Sequence, residues 1–511
     1  MKKLIRILPC SILITALLCF ASCSSPVSIV PRPLSYTKTQ GNYELTENSR
    51  IIITAGGKYY EVRQNIAEYL ADILRSSTGY SIKIANDTES PAVGDIVLSL
   101  NSSGGTADES YTLKIEKKKI TVTANEAAGL FRGVQTLRQL FGPDIERKST
   151  VQGKKWNVAC TEITDNPAYQ YRGLMFDVAR HFFPKEVIMR QIDLVSQYKI
   201  NKIHIHLSDD QGWRIEIKSR LALTEIGSLG AVNGDKGGYY TQDDFKEIVK
   251  YAAARYIEVI PEIDMPGHVT AALVSIPELN SDGSAAKPRT DIEVGYSTFQ
   301  VHSEVTYRFI DDVIKEIAEI SPSKYFHIGG DEADATPPDD YDYFIGRVSQ
   351  IVKKYGKTTI GWMPYERSEG ILRDAVVQNW YGNYGSSNIA DQKGLFIILS
   401  PANAYLDQKY NAGTVLGLQW RGFVNLKRAY DWYPAKIFPK SKLLGIESAL
   451  WAETIVTGDD MDYMLYPRLI ANAEVGWTVE EKRNFDEFKN RLAEQFARLD
   501  AMGVKYSKDY D

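Results

Sequence analysis

The sequence predicts an α/β fold: a (β/α)8 TIM barrel preceded by a small α+β accessory domain. Three observations carry that expectation. Eight short apolar runs alternate with helical patterns after residue 165. Acidic and aromatic residues gather where those runs end. No Gly-x-Gly-x-x-Gly follows an early strand to favour a doubly wound open sheet instead. The 511-residue length allows two or three domains, and 44% hydrophobic with 24% charged residues is an ordinary globular composition. A net charge of -5 with no basic stripe argues against a nucleic-acid partner, because nothing would neutralise phosphates.

The chain opens with Lys2, Lys3 and Arg6 ahead of an apolar run from Ile7 to Phe20, which ends in Ala21-Ser22-Cys23. That run is short for a membrane span and reads as an export signal over residues 1–22. Small residues before a cysteine resemble a bacterial lipoprotein processing site, with Phe20 where leucine is commoner. The resemblance implies a lipidated Cys23 that holds the protein to the cell envelope, on the periplasmic face or the cell surface, by its lipid anchor only. An ordinary cleaved secretory signal is the alternative. With Cys10 and Cys19 in the signal, only Cys160 remains beyond Cys23, so no intrachain disulfide is expected. Residues 23–35, rich in Ser, Pro and Val, read as a tether.

Residues 36–164 form the accessory domain in this reading. Strands are expected at Arg50 to Thr54, Ser81 to Ile84 and Asp95 to Leu100, and Tyr111 to Glu116 should form a hairpin with Lys119 to Thr123. Helices are expected from Tyr60 to Arg75, where Ile66, Leu70 and Ile73 recur at spacings of four and three, and from Ala127 to Leu140. No acidic, cysteine or glycine-rich constellation there points to catalysis.

Asp165-Asn166-Pro167 breaks the chain, and residues 165–483 then alternate strand and helix. The strand candidates are Tyr171 to Asp177, Lys202 to Leu207, Ile257 to Ile263, Tyr325 to Gly330, Thr358 to Trp362, Ala375 to Tyr381, Leu395 to Leu399 and Leu443 to Leu450. Between them, Pro184 to Tyr198 starts with a proline, Thr241 to Tyr256 opens on a capping-box pattern with Asp244, and Thr306 to Ile320 puts Ile310, Val313, Ile314 and Ile317 on one face. Residues 484–511 read as a closing helix, with Phe488, Leu492 and Phe496 four apart.

In such a barrel the chemistry belongs at the carboxyl ends of the strands. The fourth strand ends Tyr325-Phe-His-Ile-Gly-Gly-Asp331-Glu332, where two glycines free the backbone to turn before an acid pair. Carboxylates held partly out of water can differ in pKa, as acid/base work requires. Trp362, Trp380, Tyr405 and Trp451 stand at four other strand ends, with Asp407 and Glu453 beside them. Aromatic faces stack on sugar C–H surfaces and carboxylates accept hydrogen bonds from hydroxyls, so this mixture suits a pyranose.

His327-Ile-Gly-Gly-Asp-Glu332, together with Asp209-Asp-Gln-Gly-Trp-Arg214, Pro261-Glu-Ile-Asp-Met-Pro-Gly-His268 and Arg172-Gly173, resembles glycoside hydrolase family 20, the β-N-acetylhexosaminidases. That resemblance implies an exo-acting, retaining enzyme that removes terminal GlcNAc or GalNAc from glycans with the substrate's own acetamido oxygen as nucleophile and an oxazolinium intermediate. By the resemblance Glu332 is the acid/base, Asp331 orients the acetamido N–H, Tyr405 holds the acetamido oxygen, and Asp209 and His268 form a relay in which Asp210 could share. It also implies that Arg172, Asp407 and Glu453 bind sugar hydroxyls and that Trp362, Trp380 and Trp451 wall the ring and N-acetyl group. One departure is Met363-Pro364-Tyr365-Glu366, where the family often has an acid two places after the tryptophan.

Two other readings stay open. His204-Ile-His206 with Asp209 and His268 resembles part of a metal hydrolase, although the further ligands such a site needs have no candidates, so no metal or cofactor is expected. A catalytically silent sugar-binding lipoprotein, or a relative releasing sulfated GlcNAc or a disaccharide, would share most of these motifs. The sequence leaves oligomeric state open.

Overall fold

The computed structural model describes residues 28–53, 60–86, 91–101, 109–439 and 441–510. The export signal and Cys23 lie outside them. Among the described residues no helix is long and apolar enough to cross a membrane.

The first domain is a seven-stranded mixed sheet in the order β1-β7-β5-β6-β4-β2-β3. Its strands are β1 Ser35–Leu45, β2 Arg50–Ile53, β3 Lys83–Asn86, β4 Asp95–Leu100, β5 Tyr111–Glu116, β6 Lys119–Ala124 and β7 Trp156–Asp165. The β5/β6 hairpin pairs Tyr111 with Ala124 and Glu116 with Lys119. Helices Tyr60–Thr78 and Ala127–Leu140 cover the sheet with Ile66, Leu70, Leu74, Leu130, Val134 and Leu137. Two strands escaped the sequence reading. β1 (SYTKTQGNYEL) buries only Tyr43 and Leu45, so it has no apolar alternation to detect. β7 does alternate, through Trp156, Val158 and Ile163, and period-two counting would have found it.

The tether expected over residues 23–35 needs correction where it is described. Ile29 and Val30 are fully buried, Val30 N donates to Gln139 Oε1 at 2.9 Å, and Arg32 N donates to Glu474 Oε2 at 3.0 Å. The segment straps the accessory domain to the barrel, and Ser35 already belongs to β1. Ser and Pro content signalled a linker, but Ile29-Val30 supplies an apolar plug.

The second domain is a closed parallel barrel of β8 Tyr171–Asp177, β9 Lys202–His206, β10 Glu258–Glu262, β11 Tyr325–His327, β12 Thr358–Trp362, β13 Val376–Asn379, β14 Phe396–Leu399 and β15 Leu443–Leu450. β15 returns to β8 with Gly445 opposite Tyr171 and Leu450 opposite Phe176, which closes the ring. The helix Gln242–Ala253 begins on the expected capping box, Thr241 with Asp244. Phe488 and Leu492 of the last helix, Phe485–Ala501, are buried against the barrel.

The two domains meet under the amino ends of the barrel strands. Glu109 accepts from Arg132 Nε at 2.8 Å, Arg172 Nη2 at 2.8 Å and Asn201 Nδ2 at 3.0 Å. Beside it Lys199 Nζ lies 2.7 Å from Asp165, which also accepts from Tyr111 and Trp477. These charges are buried, and each of the three cations is paired with one of the two carboxylates.

Candidate active site

The carboxyl end of the barrel holds a cavity of about 420 Å³, lined by Arg180, Asp331, Glu332, Trp380, Tyr405, Trp420, Trp451 and Glu453, with Ile292, Val294, Leu418 and Gln419 at its mouth. Five strands contribute from their ends: Arg180 after β8, the acid pair after β11, Trp380 after β13, Tyr405 after β14, and Trp451 and Glu453 after β15. Trp362, fully buried, forms the layer beneath with Met175, Tyr405 and Trp451, its ring 5.8 Å from that of Trp451.

The acid pair sits on a tight turn. Gly329 and Gly330 take φ of +68° and +102°, and Glu332 itself takes +47°, where side chains other than glycine are strained. A Cβ on Gly329 would lie 1.7 Å from Asp264 Oδ1, the atom that accepts from Gly330 N at 3.0 Å. The turn sends the two acids different ways. Asp331 is buried, and burial together with the neighbouring Glu332 charge lifts it to about 6 against the pull of His268. Glu332, 35% exposed at its side chain, stands at the open side with Oε2 3.5 Å from His268 Nε2.

Behind Glu332 runs a column of alternating imidazoles and carboxylates. His268 Nδ1 lies 3.2 Å from Asp209 Oδ1, and Asp209 Oδ2 lies 2.9 Å from His206 Nε2 and 2.7 Å from Arg180 Nη1. His206 Nδ1 is 2.6 Å from Glu262, His204 Nε2 is 2.9 Å from the same carboxylate, and His204 Nδ1 is 2.9 Å from Glu447, which accepts from Tyr171 at 2.5 Å. Burial alone would raise Asp209, but Arg180, His268 and His206 hold it well below the carboxylate range. Burial likewise opposes charge on His268, yet Asp209 and Glu332 hold it well above the usual imidazole value. Asp210 stands farther off, with Oδ2 3.8 Å from His268 Nδ1, while its Oδ1 accepts from Thr270 N, Thr270 Oγ1 and Ser297 Oγ and so pins the loop bearing Ile292 and Val294.

His204, Glu262 and His327 bring potential ligand atoms within 4.8 Å of one another. The two rings, however, stack at 4.5 Å and 28°, a poor arrangement for sharing one ion. Glu262 is also already met by His206, His204, His327 and Trp362 Nε1. The cluster neutralises itself.

Two lining carboxyls and Asp407 close to Glu453 keep a buried oxygen with no partner: Asp331 Oδ1, Glu453 Oε2 and Asp407 Oδ1. Burial lifts Asp407 to about 6 and Glu453 to about 8, the latter against the pull of Arg180. Orphaned buried acceptors cost free energy unless a ligand supplies donors. A second cavity of about 500 Å³ opens at the opposite face, lined by Tyr171, Lys202, Glu258 and Tyr325 among others, and none of its lining side chains carries such an orphan.

Arg172 must be corrected. It lies at the amino end of β8, fully buried, with Nη2 on Glu109, Nε donating to Lys199 O at 2.9 Å and Nη1 to Tyr169 O at 2.7 Å. It locks the domains and cannot touch the pocket. The guanidinium there is Arg180, whose Cζ lies 5.0 Å from the centre of the Trp451 ring. Its position just beyond the end of β8 was the available signal, since sites gather at that end. Trp420 was also missed; it sits in a long loop without periodicity, 5.4 Å ring to ring from Tyr405. Asp331, Glu332, His268, Asp209, Tyr405, Trp362, Trp380, Asp407, Trp451 and Glu453 all gather at the carboxyl end.

Comparison with known proteins gives one consistent result. Residues 169–480 match the model of the glycosyl hydrolase family 20 catalytic domain, and residues 27–166 match domain 2 of that family. The Beta-N-acetylhexosaminidase of Cellulomonas fimi is 36% identical over 487 residues, covering 94% of this chain and 96% of the relative. The GH20 β-N-acetylhexosaminidase of Streptomyces coelicolor A3(2) superposes with a TM-score of 0.89 at 42% identity, over 94% of this chain and 97% of that one. A mutant Streptomyces plicatus β-hexosaminidase, solved in complex with the product GlcNAc, gives 0.88 at 42% identity over 94% and 96%.

Proposed function

The chain belongs to glycosyl hydrolase family 20, and on that premise we propose that it is an exo-acting, retaining β-N-acetylhexosaminidase working by substrate-assisted catalysis. The observation that carries the reading is the set of buried, unpartnered carboxyl oxygens on Asp331 and Glu453 in an aromatic-walled cavity and on Asp407 beside Glu453, with a better-solvated acid at the rim. A terminal N-acetylhexosamine brings the hydroxyl and amide donors those oxygens lack.

In this mechanism Asp331 accepts the acetamido N–H and Tyr405 donates its hydroxyl to the acetamido oxygen, which turns that oxygen toward C1. Glu332 gives its proton to the glycosidic oxygen as the bond to C1 breaks and an oxazolinium forms. The same carboxylate then takes a proton from the water that opens the intermediate, so configuration is retained. Behind Glu332, Asp209 keeps His268 charged, so an imidazolium faces Glu332 when it is ionised. Arg180, Glu453 and Asp407 meet ring hydroxyls, while Trp362, Trp380 and Trp451 exclude water from the reacting face.

Paired assays test the scheme. Turnover of 4-nitrophenyl N-acetyl-β-glucosaminide with negligible turnover of the matching 2-hydroxy glucoside is the expected result. Comparable rates on both would remove the acetamido group from the mechanism, and no turnover of either would mark a silent sugar binder. We also propose that the protein is exported and anchored through Cys23, on the strength of the basic-apolar-cysteine leader. Radiolabelled palmitate should then enter the wild type and not Cys23→Ser.

A further inference from the structure

We propose that Arg421 makes the pocket mouth a subsite for an anionic group, a carboxylate or a sulfate ester, on the saccharide in the leaving position. The proposal rests on the glycosidase reading above and adds a preference among its substrates. Gln419, Trp420, Arg421 and Gly422 form a tight turn closed by Gly422 N donating to Gln419 O at 2.8 Å. Trp420, 50% exposed, lines the cavity mouth. The Arg421 guanidinium stacks 4.6 Å from the Trp420 ring centre and 4.8 Å from that of Trp380, another lining residue. Its backbone N donates to the buried Gln408 Oε1 at 3.0 Å, and Gln408 Nε2 donates to Asp407 at 2.6 Å, so the turn is tied to the floor of the site.

What distinguishes Arg421 is what it lacks. Among the described residues no carboxylate lies within 4.0 Å of it, its guanidinium donates to no side chain or carbonyl, and its buried Nε has no partner. Three other arginines near this end of the barrel are consumed. Arg180 pairs with Asp209 and Asp177, Arg214 binds carbonyls of Val178, Ala179, Ser228 and Gly230, and Arg468 binds those of Leu406, Gln408, Val424 and Met464. Nor is the neighbouring cation its counter-ion: Arg428 donates Nη1 to Arg421 O and Phe423 O, adding positive charge to the same rim. The guanidinium packs against both rings, which meet edge to face at 70° with their centres 6.0 Å apart, and that contact holds it in place before any ligand arrives. Its free edge matches the planar carboxylate fork or two sulfate oxygens, and such charge-assisted pairs are strong where water is thinned.

The test compares kcat/KM of the full chain on three disaccharides. Each carries terminal N-acetylglucosamine on a leaving sugar that is neutral, a uronic acid, or sulfated. The wild type is expected to favour an anionic leaving sugar, with the preference shrinking as salt rises. Arg421→Gln should cut the anionic-to-neutral ratio by about tenfold, mostly through KM, and Arg421→Lys should restore part of it. Loss confined to the uronate or to the sulfate names the source of the anion. An unchanged ratio in Arg421→Gln, including the case where all three substrates slow equally because the tryptophans have lost their spacer, overturns the proposal. Failure of the wild type on the neutral disaccharide would instead count against the glycosidase reading itself.

Discussion

Glu332 and Asp331 are neighbours in the chain and opposites in environment. The positive φ of Glu332 throws its carboxylate to the rim while Asp331 stays beneath it, so one can meet a glycosidic oxygen and the other an amide. Glu332→Gln should lower kcat on a substrate with a poor leaving group by about 10²–10⁴-fold, the usual contribution of a positioned acid, and much less on an activated aryl glycoside. Equal losses on both would show that Glu332 does not protonate the leaving oxygen. Asp331→Asn should slow both, because intermediate formation is common to them. Glu453 carries a stability consequence. Its folded value of about 8 exceeds the ordinary 4.5, so the folded state binds the extra proton and stability falls as pH rises from about 4.5 through 8. Glu453→Gln should therefore raise Tm more at pH 9 than at pH 4, while raising KM. A Tm gain that does not grow with pH would contradict the buried, unpaired carboxyl.

At the scale of elements, the turn after β11 and the column behind it set the geometry. Gly329 is irreplaceable on steric grounds, since any Cβ strikes the Asp264 carboxyl. In the proposed mechanism the column extends the support of Glu332 past Asp209 to residues on β9 and β10, His206 and Glu262. Glu262→Gln removes the charge that His206, His204 and His327 share, leaving Asp209 with a less firmly charged neighbour. The expected signature is a steeper dependence of kcat on leaving-group pKa, with KM little changed. A uniform loss across leaving groups at normal thermal stability would confine Glu262 to packing. Sequence showed these strands clearly because each is a short apolar run between helical patterns, yet it could not show that the interior histidines of β9 and β11 form one network through Glu262 of β10, which needs the register His206 opposite Glu262 opposite His327.

The whole molecule is two domains joined by buried charge. Glu109 bridges Arg132, Arg172 and Asn201, and burial is outweighed by the two guanidinium groups that pull its carboxyl down to about 2. Removing one partner of such a buried set strands the others. Arg172→Ala should cost about 3–5 kcal/mol in denaturant unfolding, while the protein that remains folded keeps its KM, because the side chain lies at the opposite end of β8 from the cavity. A specific rise in KM without loss of stability would return Arg172 to the site. The Ile29-Val30 strap and the last helix add to the same seam, through Arg491 donating to Ile29 O and Gln495 to Ser28 O.

By itself the sequence determined the layered α/β plan, the order of the barrel strands, the acid pair and most of the aromatic wall. These are local statements: periodicity, glycine before carboxylates, and residue type at a strand end. Tertiary structure decided the rest. Arg172 and Arg180 flank one strand, and only the direction in which β8 runs through the closed ring puts the second in the pocket and the first under the accessory domain. Asp209 backs His268 more closely than Asp210, Trp420 folds in from a loop, and a tether becomes a strap, because each depends on which distant groups burial brings together, and burial belongs to the whole fold.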